Sequence, residues 1–391
     1  MNRRLWYAFL ALAMCGALVA DSVAGPISVG NLVVVRAGTG QGALSGSATA
    51  AFLDEYDAVT PSQAVPVQTI ALPTVVSGSN RRLTLNGTAT SEGYLKQSSN
   101  GLYLTLGGYD KDLGGTNPAN DSAATTNRVI GLVDIATGSV DTTTALTNAY
   151  NGSNIRSAVT TDGIDMWAGG NAGTGEGNSA GVQYFAYGDS TSTRVNSIGS
   201  NRRNVGIFNG RLYVSAQSGV AQSISTMESA LPMTLETETV LPGMPQSGTN
   251  DNNDFWFSDA DTLYMASASN AANNGGIQKW TFDGSNWSLA YTLLNSGAAT
   301  TAVRGLTGMI DGNGNAVLFA TTTQTSNNNL ITITDLGAGG GTATILASAG
   351  TNKVFRGLEY IDAPPIIIPE PASVALVGLA TLVVAGWRRR R

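Results

Sequence analysis

The stretch Asn209-Gly210-Arg211-Leu212-Tyr213-Val214 decides the fold. Asn-Gly supplies the two positive-φ positions of a tight hairpin, and the Leu-Tyr-x-apolar run after it suits a pleated, half-buried strand. The unit recurs as Asn100-Gly101-Leu102-Tyr103 and Asp261-Thr262-Leu263-Tyr264. Looser copies are Asp162-Gly163 leading to Met166-Trp167, and Asp311-Gly312 leading to Leu318-Phe319. Tyr103, Trp167, Tyr213, Tyr264 and Phe319 lie 64, 46, 51 and 55 residues apart. Third strands follow at 128–133, 181–185, 276–280 and 330–333, and a fourth at 289–293. Four strands in about 50 residues is the signature of a propeller blade.

Five such units fill residues 83–350. Strands near 32–36, 51–56 and 67–72 remain at the start, and a lone strand at 354–361 remains at the end. Joined, they make a sixth blade closed by the C-terminal strand, which removes free sheet edges. The expected fold class is all-β: a six-bladed β-propeller of four-stranded antiparallel blades, with a seven-bladed propeller as the alternative. The coils of a β-helix are much shorter than this period, and a β-sandwich needs no repeat.

Composition narrows the chemistry. Of 391 residues only 12% are charged, and the net charge is −6. Histidine is absent and the one cysteine, Cys15, lies in the first apolar run. His-based triads, His-ligated metals, disulfides and Cys zinc sites are therefore excluded from the body.

The two ends carry addressing signals. Arg3 and Arg4 precede an apolar stretch, 5–20, and then Ser22-Val23-Ala24. This is the order of a secretory signal peptide over 1–24, cleaved between Ala24 and Gly25. An uncleaved anchor is the alternative, and Met14 argues against a lipoprotein site at Cys15. At the other end stand Pro369-Glu370-Pro371, an apolar stretch 372–387, and Arg388, Arg389, Arg390 and Arg391. Sixteen helical residues reach about 24 Å, short of a ~30 Å hydrocarbon core. Trp387 and the long arginine stems extend the span, and the basic end stays on the cytoplasmic side.

This tail resembles the PEP-CTERM sorting segment of Gram-negative bacteria, labelled in some classifications an ice-binding-protein C-terminal domain. The motif, the span and the basic terminus occur in the family's order. The resemblance implies recognition by an exosortase-type membrane processing enzyme and cleavage near the motif. The protein would be anchored transiently in the inner membrane and then delivered to the cell surface or exopolysaccharide matrix. It does not imply ice binding, and a plain tail anchor is the alternative. The expected organisation is a signal peptide (1–24), a propeller domain (25–363) and a sorting segment (364–391).

Without residues 1–24 and 370–391, 15 basic and 25 acidic residues remain, a charge of −10. Such a surface repels phosphate backbones, so nucleic acid is not an expected partner. Arg156, Arg203, Arg304 and Arg356 open the first strands of four units, with Glu92 and Asp254 near the others. As a ring at one channel mouth the arginines would form an anion-binding site, for instance for an acidic polysaccharide. The plainer reading is that they pair with acids and close the channel.

No catalytic residue, resident metal or cofactor is expected. Asp311-Gly312-Asn313-Gly314-Asn315 and Asn250-Asp251-Asn252-Asn253-Asp254 are oxygen-rich enough for calcium, but Asn, Asp and Gly also build turns without metal. The Gly-rich runs 38–42 and 169–177 lack the Lys-Ser/Thr of a phosphate loop. Trp256, Trp280 and Trp287 fit core packing better than sugar stacking. The expected function is a non-catalytic binding or structural component of the exopolysaccharide or cell envelope, not an enzyme. The alternative is a calcium-dependent, lactonase-like hydrolase on the same fold.

Overall fold

The computed structural model describes residues 24–248, 251–295 and 301–365. The signal stretch before Ala24, Asn250, and everything from residue 366 on lie outside the described residues. That excludes Pro369-Glu370-Pro371, the stretch 372–387 and the four terminal arginines. The described residues are all-β with three short 3-10 turns, and no helix among them is long and apolar enough to cross a membrane.

Four repeat units fold as separate four-stranded antiparallel meanders. The first comprises Ile155–Thr160, Asp165–Gly170, Gly181–Ala186 and Thr193–Arg194. The second comprises Val205–Phe208, Arg211–Ala216, Ser223–Met227 and Glu238–Val240. The third comprises Asn252–Asp259, Thr262–Ser267, Gly276–Phe282 and Trp287–Leu293. The fourth comprises Val303–Ile310, Ala316–Thr322, Asn329–Thr334 and Thr344–Ser348. In the second, Phe208 sits opposite Arg211, and Asn209 and Gly210 take φ of 48° and 72°. The Asn-Gly pair makes the two-residue turn that its conformational preferences favour.

The expected blade count is corrected by the sheet topology. Among the described residues there are four such blades, not six or seven, because the strands expected to make two more are joined in one ten-stranded sheet. Thr84–Asn86 makes the join: Ala48 lies opposite Asn86 and Ala50 opposite Thr84, while Thr84 also lies opposite Tyr109. Burial explains this pairing. Leu83 and Leu85 flank Thr84 and are fully buried with Val33, Val35, Leu53, Leu104 and Leu106. Backbone groups held among these side chains cannot reach water, so they pair with both neighbouring strands.

The closing strand, Val354–Tyr360, belongs to this sheet and pairs antiparallel with Asn31–Ala37. Leu32 sits opposite Tyr360, and Ala37 opposite Val354. The strand also packs on Val303–Ile310, which in turn packs on Asn252–Asp259. The first strands of these three successive units thus lie side by side.

Register in these first strands shifts at the arginines. The ladder skips a residue at Arg156, between Ile155 and Ser157, and again at Arg304, between Val303 and Gly305. It is also irregular across Asn253 and Asp254, and across Arg356 and Gly357. A bulge takes a residue out of the ladder and re-aims its side chain. Three of the four arginines and Asp254 therefore sit where the backbone is bulged.

Candidate active site

The bulged arginines gather at the N-terminal ends of the first strands. Arg203 acts electrostatically on both Arg156 and Arg304, and Arg304 acts on Arg356. Arg156 donates to Asn201 and to the Arg202 carbonyl at 3.0 Å. Arg304 donates to Thr323 O at 2.6 Å, and Arg356 to Asn86 O at 2.8 Å. Burial, followed by the charge of Arg203, brings the Arg156 guanidinium down to about 9. Glu92 accepts from the Tyr109 hydroxyl (2.7 Å), the Asn86 N–H (3.0 Å) and the Asn154 amide. It makes no ion pair with the four arginines, although it acts on Arg156 and Arg356 through space.

The C-terminal ends of the same strands line a cavity of about 470 Å³ at the other mouth. Between Arg304 and Met309, which lines this cavity, the strand rises about 17 Å. Lys96 and Glu359 stand on the cavity wall with Trp256, Phe208 and Phe257. Lys96, from the two-residue strand Lys96–Gln97, places Nζ 2.9 Å from Asp254 Oδ1 and 3.8 Å from Glu359 Oε2. Asp254 is fully buried and also accepts from the N–H groups of Phe255 (2.8 Å) and Leu306 (3.0 Å), and from Asn204. Its carboxylate is thereby fixed as the anchor that orients the Lys96 ammonium.

Glu359 is held differently. Oε1 accepts one hydrogen bond, from Thr307 Oγ1 at 2.9 Å, while Oε2 is buried without a hydrogen-bond partner. Burial pushes this carboxyl up to about 7, against the pull of Lys96 and with the help of Asp254. For Lys96, burial favours the neutral amine, but Asp254 and Glu359 outweigh it and hold the ammonium above its ordinary range. A carboxyl poised at neutral pH beside a fixed ammonium can exchange a proton with a bound water and stabilise a developing oxyanion.

Trp256 is partly buried on the cavity wall, and its ring lies where a Cβ on Gly308 would fall, 2.7 Å from Cε3. Glycine at 308 is what lets the indole lie there. Trp280 and Trp287 are buried in the core instead, Trp287 edge-on to Phe257. Asp311 accepts from the N–H groups of Asn313 and Asn315, both at 2.8 Å, as a turn residue does. At the mouth the Lys96 ammonium occupies the position between two carboxylates that a cation would need. No group of three His, Cys, Asp or Glu side chains placed to hold a metal exists among the described residues. The donor set does not fit calcium. At the N-terminal end Ala24 packs on the core, and the Gly25 N–H donates to Gln68 Oε1 at 3.2 Å.

Among solved structures, the chain is similar to a candidate 6-phosphogluconolactonase from Bacteroides uniformis. Identity is 13%, coverage is 86% of this chain and 84% of that one, and the TM-score is 0.40. A second candidate 6-phosphogluconolactonase, from Bacteroides fragilis, matches at 10% identity, 80% coverage of each chain and a TM-score of 0.43. A soluble aldose sugar dehydrogenase from Escherichia coli matches at 8% identity, 76% and 98% coverage, and 0.43. No curated protein matches.

The expectation of a non-catalytic, non-enzymatic body is corrected by the second mouth. That expectation rested on the missing histidine and thiol and on a channel filled by arginines. Lys96 and Glu359 supply acid–base groups without either residue type, at the mouth the arginines leave free. At the C-terminus, residues 368–391 match the PEP-CTERM protein-sorting motif. That motif implies secretory export, processing by an exosortase-type enzyme and eventual surface or extracellular placement. The chain is thus an all-β, propeller-like body that carries a PEP-CTERM protein-sorting motif at its C-terminus.

Proposed function

We propose that the body is an ester hydrolase of the lactonase type, working at the Glu359–Lys96 mouth without a metal. Its substrate class is a cyclic or acyl ester carried on a sugar ring. The ring packs on Trp256 and the neighbouring phenylalanines, since a pyranose face matches an aromatic one. Ionised Glu359 takes a proton from water as the water oxygen bonds to the carbonyl carbon. The Lys96 ammonium, oriented by Asp254, stabilises the oxyanion. The acyl C–O bond then breaks, and Glu359 returns the proton to the leaving alkoxide, so atoms and charges balance. The observation that supports this reading is the part-buried Glu359 carboxyl, raised to about 7, beside a fixed ammonium in an aromatic-walled cavity. The test is hydrolysis of aldonolactones and acetylated sugars by the full-length protein. kcat/KM should rise about tenfold per pH unit below 7 and level off above it, because the base must be ionised. Absence of turnover across that panel would refute the proposal.

For the organisation of the chain we propose 1–24 as signal peptide, 25–363 as the working domain and 364–391 as sorting segment. The stretch 372–387 crosses the inner membrane until processing, with Arg388–391 on the cytoplasmic side. The processed protein then resides at the cell surface or in an acidic exopolysaccharide matrix. Truncation after residue 363 should convert a cell-associated protein into one recovered from periplasm or medium, as fractionation would measure. Equal membrane association of the truncated and full chains would contradict this topology.

A further inference from the structure

The arginine mouth is separate from the Glu359 cavity and carries unmet hydrogen-bonding capacity. Arg356 and Arg156 are 7% and 5% exposed. Arg356 Nε and Nη1, Arg156 Nε and Arg203 Nε are all buried without a hydrogen-bond partner. Among the described residues none of the four arginines takes part in an ion pair. The acids that reach them through space are Glu92 and Asp251, and Glu92 is already occupied by Tyr109, Asn86 and Asn154. Arg128 and Arg202 also bury an Nε without a partner, but their Nη groups are met, whereas Arg356 leaves Nη1 unmet as well. Arg128 donates to five carbonyls, and Arg202 is paired with Glu238 at 2.8 Å. Buried guanidinium donors are costly to leave unpaired, and like charges in a shielded site repel.

We propose that the cleft between Arg304 and Arg356 binds one oxyanion, the planar carboxylate or tetrahedral phosphate class that guanidinium groups recognise in two-point fashion. The cleft is lined by both arginines together with the hydroxyl-bearing Thr88, Thr90 and Thr325 and the amide of Gln324; Glu92 also borders it, its carboxylate engaged by Tyr109, Asn86 and Asn154. Arg203 adds positive field at Arg304. The oxyanion supplies acceptors for the orphaned Nε and Nη1 of Arg356 and offsets the repulsion of that residue with Arg304. Its source is either free inorganic phosphate or the uronate carboxylate of an acidic glycan.

The test is thermal unfolding of full-length protein titrated with inorganic phosphate or with sodium glucuronate at fixed ionic strength. Phosphate raises the melting temperature of most proteins by exclusion from their surfaces. The decisive readout is therefore a saturable shift with a midpoint in the low millimolar range, and its dependence on the arginines. Arg304→Gln should raise that midpoint at least tenfold, and Arg304→Lys should recover part of the loss. Arg203→Gln, which leaves the cleft wall intact, should raise it about threefold, and added sodium chloride should raise it in the wild type. Saturation by phosphate alone identifies the free anion, and saturation by glucuronate alone identifies the glycan carboxylate. Both outcomes support the site. Shifts that do not saturate, or equal midpoints in wild type and both glutamine variants, would overturn it.

Discussion

Full-length protein lacking Val354–Tyr360 should fail to fold and should be recovered as aggregate. Phe355 and Leu358 are buried with Leu32, Val34, Tyr56 and Phe319, and Val354 is buried in the cluster on the other side. Removing large buried apolar side chains costs about 2–5 kcal/mol each. Three such losses approach the whole 5–15 kcal/mol by which a domain is stable. The deletion also strips Asn31–Ala37 of its partner, exposing an edge that invites pairing between molecules. A point substitution should weaken the same seam. A Cβ at Gly357 would lie 2.5 Å from Tyr94 Cα and 2.6 Å from both Gly93 O and Leu95 N, backbone atoms that cannot swing away. Gly357→Val should thus lower the melting temperature by several degrees, as overpacking costs about 1–3 kcal/mol. A soluble deletion protein melting at the wild-type temperature would show that closure by this strand is dispensable.

Legibility in the sequence followed the strength of local signals. Hairpins built on Asn209-Gly210 and on the Leu-Tyr positions were readable because turn chemistry and strand pattern agree there. The join at Thr84–Asn86 was not, since Leu83-Thr84-Leu85 has the pattern of any short buried strand. Only the packing of Leu83 and Leu85 decides that it bridges two neighbours. The arginine positions were readable as equivalents because Arg304-Gly305-Leu306-Thr307 and Arg356-Gly357-Leu358-Glu359 repeat in neighbouring strands. The same alignment contained the other site. Three residues beyond each arginine, about 10 Å along the strand, stand Thr307 and Glu359, and Thr307 donates to Glu359. Glu359 has no signal in the sequence because its chemistry comes from burial. Lys96 stands on a two-residue strand with no repeat signature. Asp254, expected beside the arginines, is instead committed to Lys96.

Glu359→Gln separates catalysis from folding because the two should move in opposite directions. The amide keeps an oxygen for the Thr307 hydroxyl but cannot take a proton from water, so kcat on a hydrolysable sugar ester should fall by about 10²–10⁴. Stability follows from proton linkage. The carboxyl ordinarily titrates at 4.5, whereas in the fold burial raises it to about 7. Between those values the unfolded chain has released a proton that the native protein retains, so native stability falls as pH rises through the window. The slope is at most about 1.4 kcal/mol per pH unit. Below pH 4.5 this contribution is constant, and above 7 the penalty is complete. The neutral amide escapes it. Melting temperature from pH 5 to 8 should therefore decline more steeply in the wild type than in Glu359→Gln, with the variant at least as stable at pH 8. Parallel melting curves would mean that Glu359 is ionised throughout the window. Activity within threefold of wild type would mean that the base lies elsewhere. A variant that loses activity and gains relative stability at high pH would identify Glu359 as a carboxyl kept in an unfavourable environment because it must take up and return a proton near neutral pH.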